Sequence, residues 1–141
     1  MREITRIMVK NFKIEKLGYD FMGYTFGNKE NLNFHHLIVA HRNCKMQNIP
    51  KEGYLDWNGA ILNCRTSHPY LHIIEKYDND MFYAITSEMI DENIKGKLDI
   101  ENIKRIHDVL NQFEKEHCGS YTKSGKRLIK KEYTQRHLFT D

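Results

Sequence analysis

The stretch that decides the fold runs from residue 32 to residue 77 and has two informative parts. Residues 32–39 read LNFHHLIV, and residues 58–77 read NGAILNCRTSHPYLHIIEKY. The first part is a short apolar run around two adjacent histidines, which predicts a strand, and residues 60–62 predict a second one. Thr66 and Ser67 form a helix-capping signal, and Pro69 follows within the first turn, where a missing N–H is tolerated. The order is therefore strand, loop, strand and helix, with the helix ending near Tyr77.

Four of the eight histidines lie in these two parts, and their spacing suits a metal ion. His68 and His72 are four residues apart, so a helix places both on one face with Cβ atoms roughly 6 Å apart. Both rings can then reach one ion from adjacent turns. His35 and His36 are neighbours on a strand, where successive side chains point to opposite faces unless the strand twists or ends.

This geometry favours a division of labour between the two neighbouring histidines. One imidazole binds the ion, and the other takes a proton from water, because an unperturbed histidine titrates near neutrality. Each histidine also has a structural interpretation, as a hydrogen-bonded core residue or as part of a chance pair.

The whole pattern resembles the HNH nucleases, also called the ββα-metal family. The His-His form with a later His-x-x-x-His is similar to the nuclease domains of the colicin DNases and to small HNH proteins of phage. The resemblance covers residues 33–77, a third of the chain. It implies a metal-dependent endonuclease that hydrolyses DNA phosphodiester bonds.

The resemblance also implies a role for each motif residue. His36 and Asn58 would be the catalytic pair, with His36 as general base and Asn58 orienting the loop that carries the first histidines. The metal ligands would be His35, His68 and His72. One divalent ion (Zn, Ni, Mg or Mn) would act as a Lewis acid, and three imidazoles favour late transition ions over magnesium.

The rest of the chain predicts an α+β fold with a ββα-metal core, an N-terminal β extension and two C-terminal helices. Apolar residues alternating with polar ones over the first thirty positions, followed by an aromatic run, predict extended structure. The two helices are predicted from Asp80 to Lys95, stopped by Gly96, and from an Asp99 cap to about Cys118. The predicted domain comprises residues 1–118, with a core motif at 33–77 and a helical part at 80–118. Residues 119–141 form a basic C-terminal tail.

The positive charge of the chain is concentrated in that tail. Residues 119–141 hold six Lys and Arg against two acidic residues, so the other 118 residues carry a net charge of −1. Such a segment suits a polyanion, because Lys and Arg contacts to phosphate supply most non-specific nucleic-acid affinity. The predicted nucleic-acid contacts are Arg65 and Lys45, which flank the site, and Lys126, Arg127, Lys130 and Lys131.

Several protein classes are excluded or disfavoured. Three cysteines without a CxxC pair do not favour a disulfide framework or a four-cysteine zinc site. No secretory signal or membrane-length apolar run is present, so we expect a soluble, cytoplasmic protein of a bacterium or a phage-infected cell. The expected partner is DNA, with RNA possible, and a protein partner or a homodimer remains open. The alternative function is a catalytically silent, metal-stabilised binding or inhibitor protein that acts on a nucleic-acid or protein complex.

Overall fold

A computed structural model describes residues 2–38 and 57–139 of the chain. These residues form a mixed α+β structure around a two-stranded antiparallel sheet, which confirms the predicted class. The predicted loop between the two strands, residues 43–57, lies outside the described residues except for Trp57. Lys45, a predicted nucleic-acid contact, is in the part of this loop that is not described. No helix in the described ranges is long and apolar enough to cross a membrane.

The predicted N-terminal β extension is wrong. The chain begins with helix α1 (Glu3–Asn11) and a one-turn helix α2 (Ile14–Leu17). The buried residues of α1 are Ile4, Thr5, Met8 and Val9, a spacing that keeps one face of a helix against the core. The prediction of alternation left out Met8, which completes that helical face.

The aromatic run after α2 is also not a strand. Tyr19 to Tyr24 form a buried turn closed by a hydrogen bond from the Asp20 amide to the Tyr24 carbonyl (2.9 Å). Gly23 has φ +84°, a left-handed conformation that an extended strand does not contain. A 3-10 turn (Lys29–Asn31) then leads into the sheet.

The two predicted strands are present and pair in antiparallel register. Strand β1 is Leu32–His36 and β2 is Gly59–Asn63, with Leu32 opposite Asn63 and His36 opposite Gly59. All five residues of β2 are buried. The sheet is therefore short and central, and its His36–Gly59 end carries the adjacent histidines.

Three helices follow β2 at the predicted places. Helix α3 is Ser67–Tyr77, α4 is Asn79–Lys95 and α5 is Ile100–Glu116. Gly96 ends α4 in a left-handed conformation, and the Asp99 side chain accepts a hydrogen bond from the Glu101 amide at the start of α5, as the sequence predicts.

The basic C-terminal segment packs against the same core as the rest of the described chain. Leu128 and Tyr133 are buried in that core, and a short helix α6 (Lys131–Thr134) carries Tyr133. The Tyr133 ring stacks on Tyr70 with centroids 4.9 Å apart. Arg136 is buried and donates two hydrogen bonds to Glu114 (2.7 and 3.1 Å), so helix α5 holds this segment.

Candidate metal centre

Three of the predicted ligands come together at the open end of the sheet. His35 comes from β1 and His68 and His72 from the first turns of α3, and their potential ligand nitrogens all lie within 4.8 Å of one another. Nδ1 of His35 is 3.1 Å from Nε2 of His68. In a tetrahedral zinc site with Zn–N distances of 2.0–2.1 Å, two ligand nitrogens lie about 3.4 Å apart, so the widest pair would have to close by up to about 1.4 Å. The cluster could hold one metal ion.

Neighbouring side chains fix the orientation of the two helical imidazoles. Nδ1 of His68 is 2.8 Å from Oδ1 of Asn33, and Nδ1 of His72 is 3.2 Å from Oε1 of Glu75. Both oxygens are acceptors, so each Nδ1 carries the proton and each Nε2 presents a lone pair. Pairing of the outer ring nitrogen with an amide or carboxylate oxygen is the arrangement found around protein metal sites.

The first-strand ligand is oriented by burial rather than by such a partner. His35 is 4% exposed, and its Nε2 has no hydrogen-bond partner among the described residues. Its Nδ1 faces His68, so the ring presents that nitrogen to the centre of the cluster.

The environment of His35 and His68 favours their neutral form. Burial, followed by the neighbouring histidines, lowers the pKa of His35 well below its usual range. Burial, followed by His72 and His36, lowers the pKa of His68 to about 4. A metal binds the neutral imidazole, so these two rings are ready to ligate at neutral pH without losing a proton.

His36 lies beside the cluster and not within it. It is the last residue of β1, and its ring packs edge-on against Phe34 with centroids 4.7 Å apart. His35, His36, His68 and His72 all line one open cavity of about 350 Å³. The strand ends at this point, so the two adjacent imidazoles reach the same cavity despite their alternation along β1.

Asn58 holds the two chain segments together next to His36. It is fully buried, its Oδ1 accepts a hydrogen bond from the Ile38 amide (2.8 Å), and its carbonyl accepts one from the Leu37 amide (2.9 Å). Asn63 lies at the other end of β2, where its Oδ1 accepts from the Arg65 amide and its Nδ2 donates to the Thr25 carbonyl. Asn58 therefore joins the chain just after β1 to the start of β2.

Asp20 is a buried carboxylate that the sequence did not single out, and it anchors the start of α3. Oδ2 accepts hydrogen bonds from the Asn63 amide (2.8 Å) and the Ser67 hydroxyl (2.5 Å), and Oδ1 from the amides of Met22 and Tyr24. Burial raises the pKa of Asp20 to about 6, although these hydrogen bonds pull it down. Ser67 immediately precedes His68, so the anchor sets the position of the first helical ligand.

The predicted cationic residues that the structure describes do not line the histidine cavity. Arg65 is exposed on the turn before α3, and Lys126, Arg127, Lys130 and Lys131 are exposed on the C-terminal segment. The last three line a separate cavity of about 320 Å³ beside His117.

The missed metal-site residue is Asn33. It lies two positions before His35, so the alternation of strand side chains places both on one face of β1. That signal was available in the sequence, whereas nothing local pointed to Asp20, 47 residues before Ser67.

Comparison with known proteins adds no relative. The chain matches no family model, and no curated protein or solved structure shows significant similarity to it.

Proposed function

We propose that this protein is a metal-dependent endonuclease that hydrolyses DNA phosphodiester bonds at the histidine cluster. The observation that carries the proposal is the convergence of His35, His68 and His72, each with its ligand nitrogen turned inward, on a cavity that also receives His36. A purely structural zinc site closes its fourth position with a protein ligand, whereas a hydrolytic site leaves it open. Among the described residues the cluster offers three ligands and an open cavity.

The three imidazoles would hold the ion, and the cavity leaves room for a phosphate and a water molecule. When bound, the ion supplies Lewis-acid stabilisation of the charge that develops on the phosphate and on the leaving oxygen. Asn33 and Glu75 keep His68 and His72 in the ligating orientation. His36, at the rim of the same cavity, would accept the proton of the attacking water.

The hydrolysis test is plasmid cleavage together with metal analysis. The wild-type protein and His36→Ala are incubated with supercoiled plasmid, and separately with a structured RNA, in the presence of Mg, Mn, Ni or Zn. We expect nicking by the wild type and a loss of about 100-fold or more in His36→Ala, because a positioned general base typically contributes 10²–10⁴-fold. His137→Ala, a substitution of an exposed histidine elsewhere, is the matched control.

Metal content separates the outcomes. His36→Ala should retain one ion per chain by mass spectrometry, because His36 is not one of the three clustered ligands. A protein that binds one ion and cleaves neither DNA nor RNA with any metal would instead be a metal-stabilised binding module. A protein that binds no metal contradicts the proposal at its first step.

A further inference from the structure

Helices α1 and α2 and the turn before β1 line a basic cleft that the proposed reaction does not use. This N-terminal cleft has a volume of about 550 Å³. Its charged lining residues are the cations Arg6, Lys10, Lys13, Lys16 and Lys29 and the carboxylates Glu15 and Glu30. The lining is therefore positive on balance.

Most of these cations are available to a ligand. Lys29 lies 3.9 Å from Glu15, and both side chains are more than half exposed. None of the ion pairs between described residues includes Arg6, Lys10, Lys13 or Lys16. All four are exposed, so the cleft presents an unneutralised row of positive charge to solvent.

The backbone of the cleft contains an unusual residue that carries one of these charges. Lys13 joins α1 to α2 with φ +56°, a left-handed conformation that favours glycine or asparagine. A lysine in this conformation is sterically strained because its Cβ crowds the following carbonyl oxygen. The position therefore carries a positive side chain where the backbone alone would favour a small residue.

A short stretch of chain joins one side of the cleft to the histidine cluster. Lys29 precedes Asn33 by four residues, a length of chain that spans at most about 14 Å. Asn33 in turn lies 2.8 Å from the ring of His68.

We propose that the N-terminal cleft binds backbone phosphates of the nucleic acid whose phosphodiester bond lies at the histidine cluster. This inference rests on the proposed function, because the cluster identifies which polyanion is present. A lipid surface fits less well: amphipathic helices that bind membranes expose an apolar face, whereas the apolar face of α1 is buried in the core. The only apolar residue of the lining is Val9, which is 6% exposed.

The test compares two triple variants of equal charge change. The cleft variant is Lys10→Gln, Lys13→Asn and Lys16→Gln, in which asparagine suits the left-handed backbone at residue 13. The control variant is Lys97→Gln, Lys104→Gln and Lys115→Gln, at exposed sites that do not line the cleft. Binding of a fluorescent DNA duplex is measured by anisotropy over a salt series in EDTA, so that cleavage does not enter.

Removal of three phosphate contacts should make the negative slope of log K against log salt shallower by about 3. It should also weaken binding about 10-fold or more near 0.1 M salt. The control variant should keep the wild-type slope and affinity, and circular dichroism should show both variants folded. Equal slopes for the cleft variant and the wild type, or equal losses in both variants, would overturn the proposal. So would a cleft variant that loses binding to phosphatidylserine vesicles while its DNA binding is unchanged.

The two proposals fail in different ways. Plasmid cleavage by a protein whose cleft variant binds DNA as tightly as the wild type would remove the cleft assignment alone. Duplex binding through the cleft without cleavage in any metal would remove the hydrolysis alone.

Discussion

Asn33 makes the most informative single side-chain contact of the metal centre, because it fixes the tautomer of His68 through one 2.8 Å contact. We predict that Asn33→Ala weakens metal binding by about 10- to 100-fold, the usual cost of losing an orienting partner behind a ligating histidine. Asn33→Asp retains an acceptor and should restore the affinity, which a merely structural role would not require. Competition titration with a metal-sensitive dye measures both dissociation constants. Equal affinity of Asn33→Ala and the wild type would show that His68 needs no partner.

At the residue scale, the sequence predicts the three clustered histidines but not every side chain that orients them. The i, i+4 spacing of His68 and His72 and the strand position of His35 are local patterns, and the structure brings these residues together. Glu75 lies one helical turn after His72, so the same helical spacing places it beside that ring. Asn33 needed the further step of asking which strand residue shares a face with His35.

At the scale of elements, the packing of α5 against the turn after α2 depends on Gly23. A Cβ on this residue would lie 2.8 Å from both Nε2 of His107 and Cγ2 of Ile103, and its φ is +84°. We predict that Gly23→Ala lowers the free energy of unfolding by about 3 kcal/mol or more, since overpacking adds to left-handed strain. Gly18→Ala has a similar φ of +83° and open space around it, so it should cost only about 1–2 kcal/mol. Urea unfolding of both variants measures the difference, and equal losses would contradict the steric contribution.

The elements were predicted well where a cap or a breaker marks them. Gly96 and Asp99 delimit α4 and α5, and both act as the sequence indicates. The N-terminal helices lack a mark at their start: no side chain caps the first turn of α1 or α2. Their buried face shows only when Met8 is counted with Ile4 and Val9, and the count by alternation passed over it. The same omission hid the N-terminal cleft, since only a helix gathers Arg6 and Lys10 on one side.

At the scale of the whole molecule, buried titratable groups should make stability depend on pH. Burial lowers the pKa of His107 from 6.5 to about 4, although its hydrogen bond to the Met22 carbonyl opposes this, and the nearby Arg136 lowers it further. The unfolded chain then binds a proton near pH 6.5 that the folded chain takes up only near pH 4. Stability from this group is therefore present above pH 6.5 and is lost as the pH falls toward 4.

We predict that the stability advantage of the wild type over His107→Gln shrinks as the pH is lowered from 7 to 5. Glutamine keeps an N–H donor for Met22 but does not titrate. Urea unfolding in EDTA gives both free energies without a contribution from bound metal. Asp20 acts in the opposite direction, because its raised pKa of about 6 makes the folded state the better proton binder between pH 3.8 and 6. It is present in both proteins and cancels in the comparison, so parallel curves would contradict the assignment to His107.

Long-range contacts explain why the sequence predicts the parts better than their assembly. The Asp20 anchor spans 47 residues, and the Tyr24 hydroxyl donates to the Tyr133 carbonyl across 109 residues. Such pairings leave no periodic trace in the sequence. For the same reason, the charge of residues 119–139 suggested a tail, although Leu128 and Tyr133 belong to the same core as α1.

The Asp20 anchor also bears on how the metal centre could be inherited or transplanted. Residues 32–77 contain every clustered histidine, yet β2 is held from outside that segment by Asp20 and by the Asn93 side chain, which donates to the Gly59 carbonyl (2.6 Å). A peptide of residues 32–77 alone would keep the three histidines but lose the hydrogen bonds from Asp20 and Asn93 that position β2 and the start of α3. A segment that keeps these contacts therefore extends from residue 20 to residue 93, about half of the chain. Transfer of the histidine cluster to another protein would require this whole segment and not the motif alone.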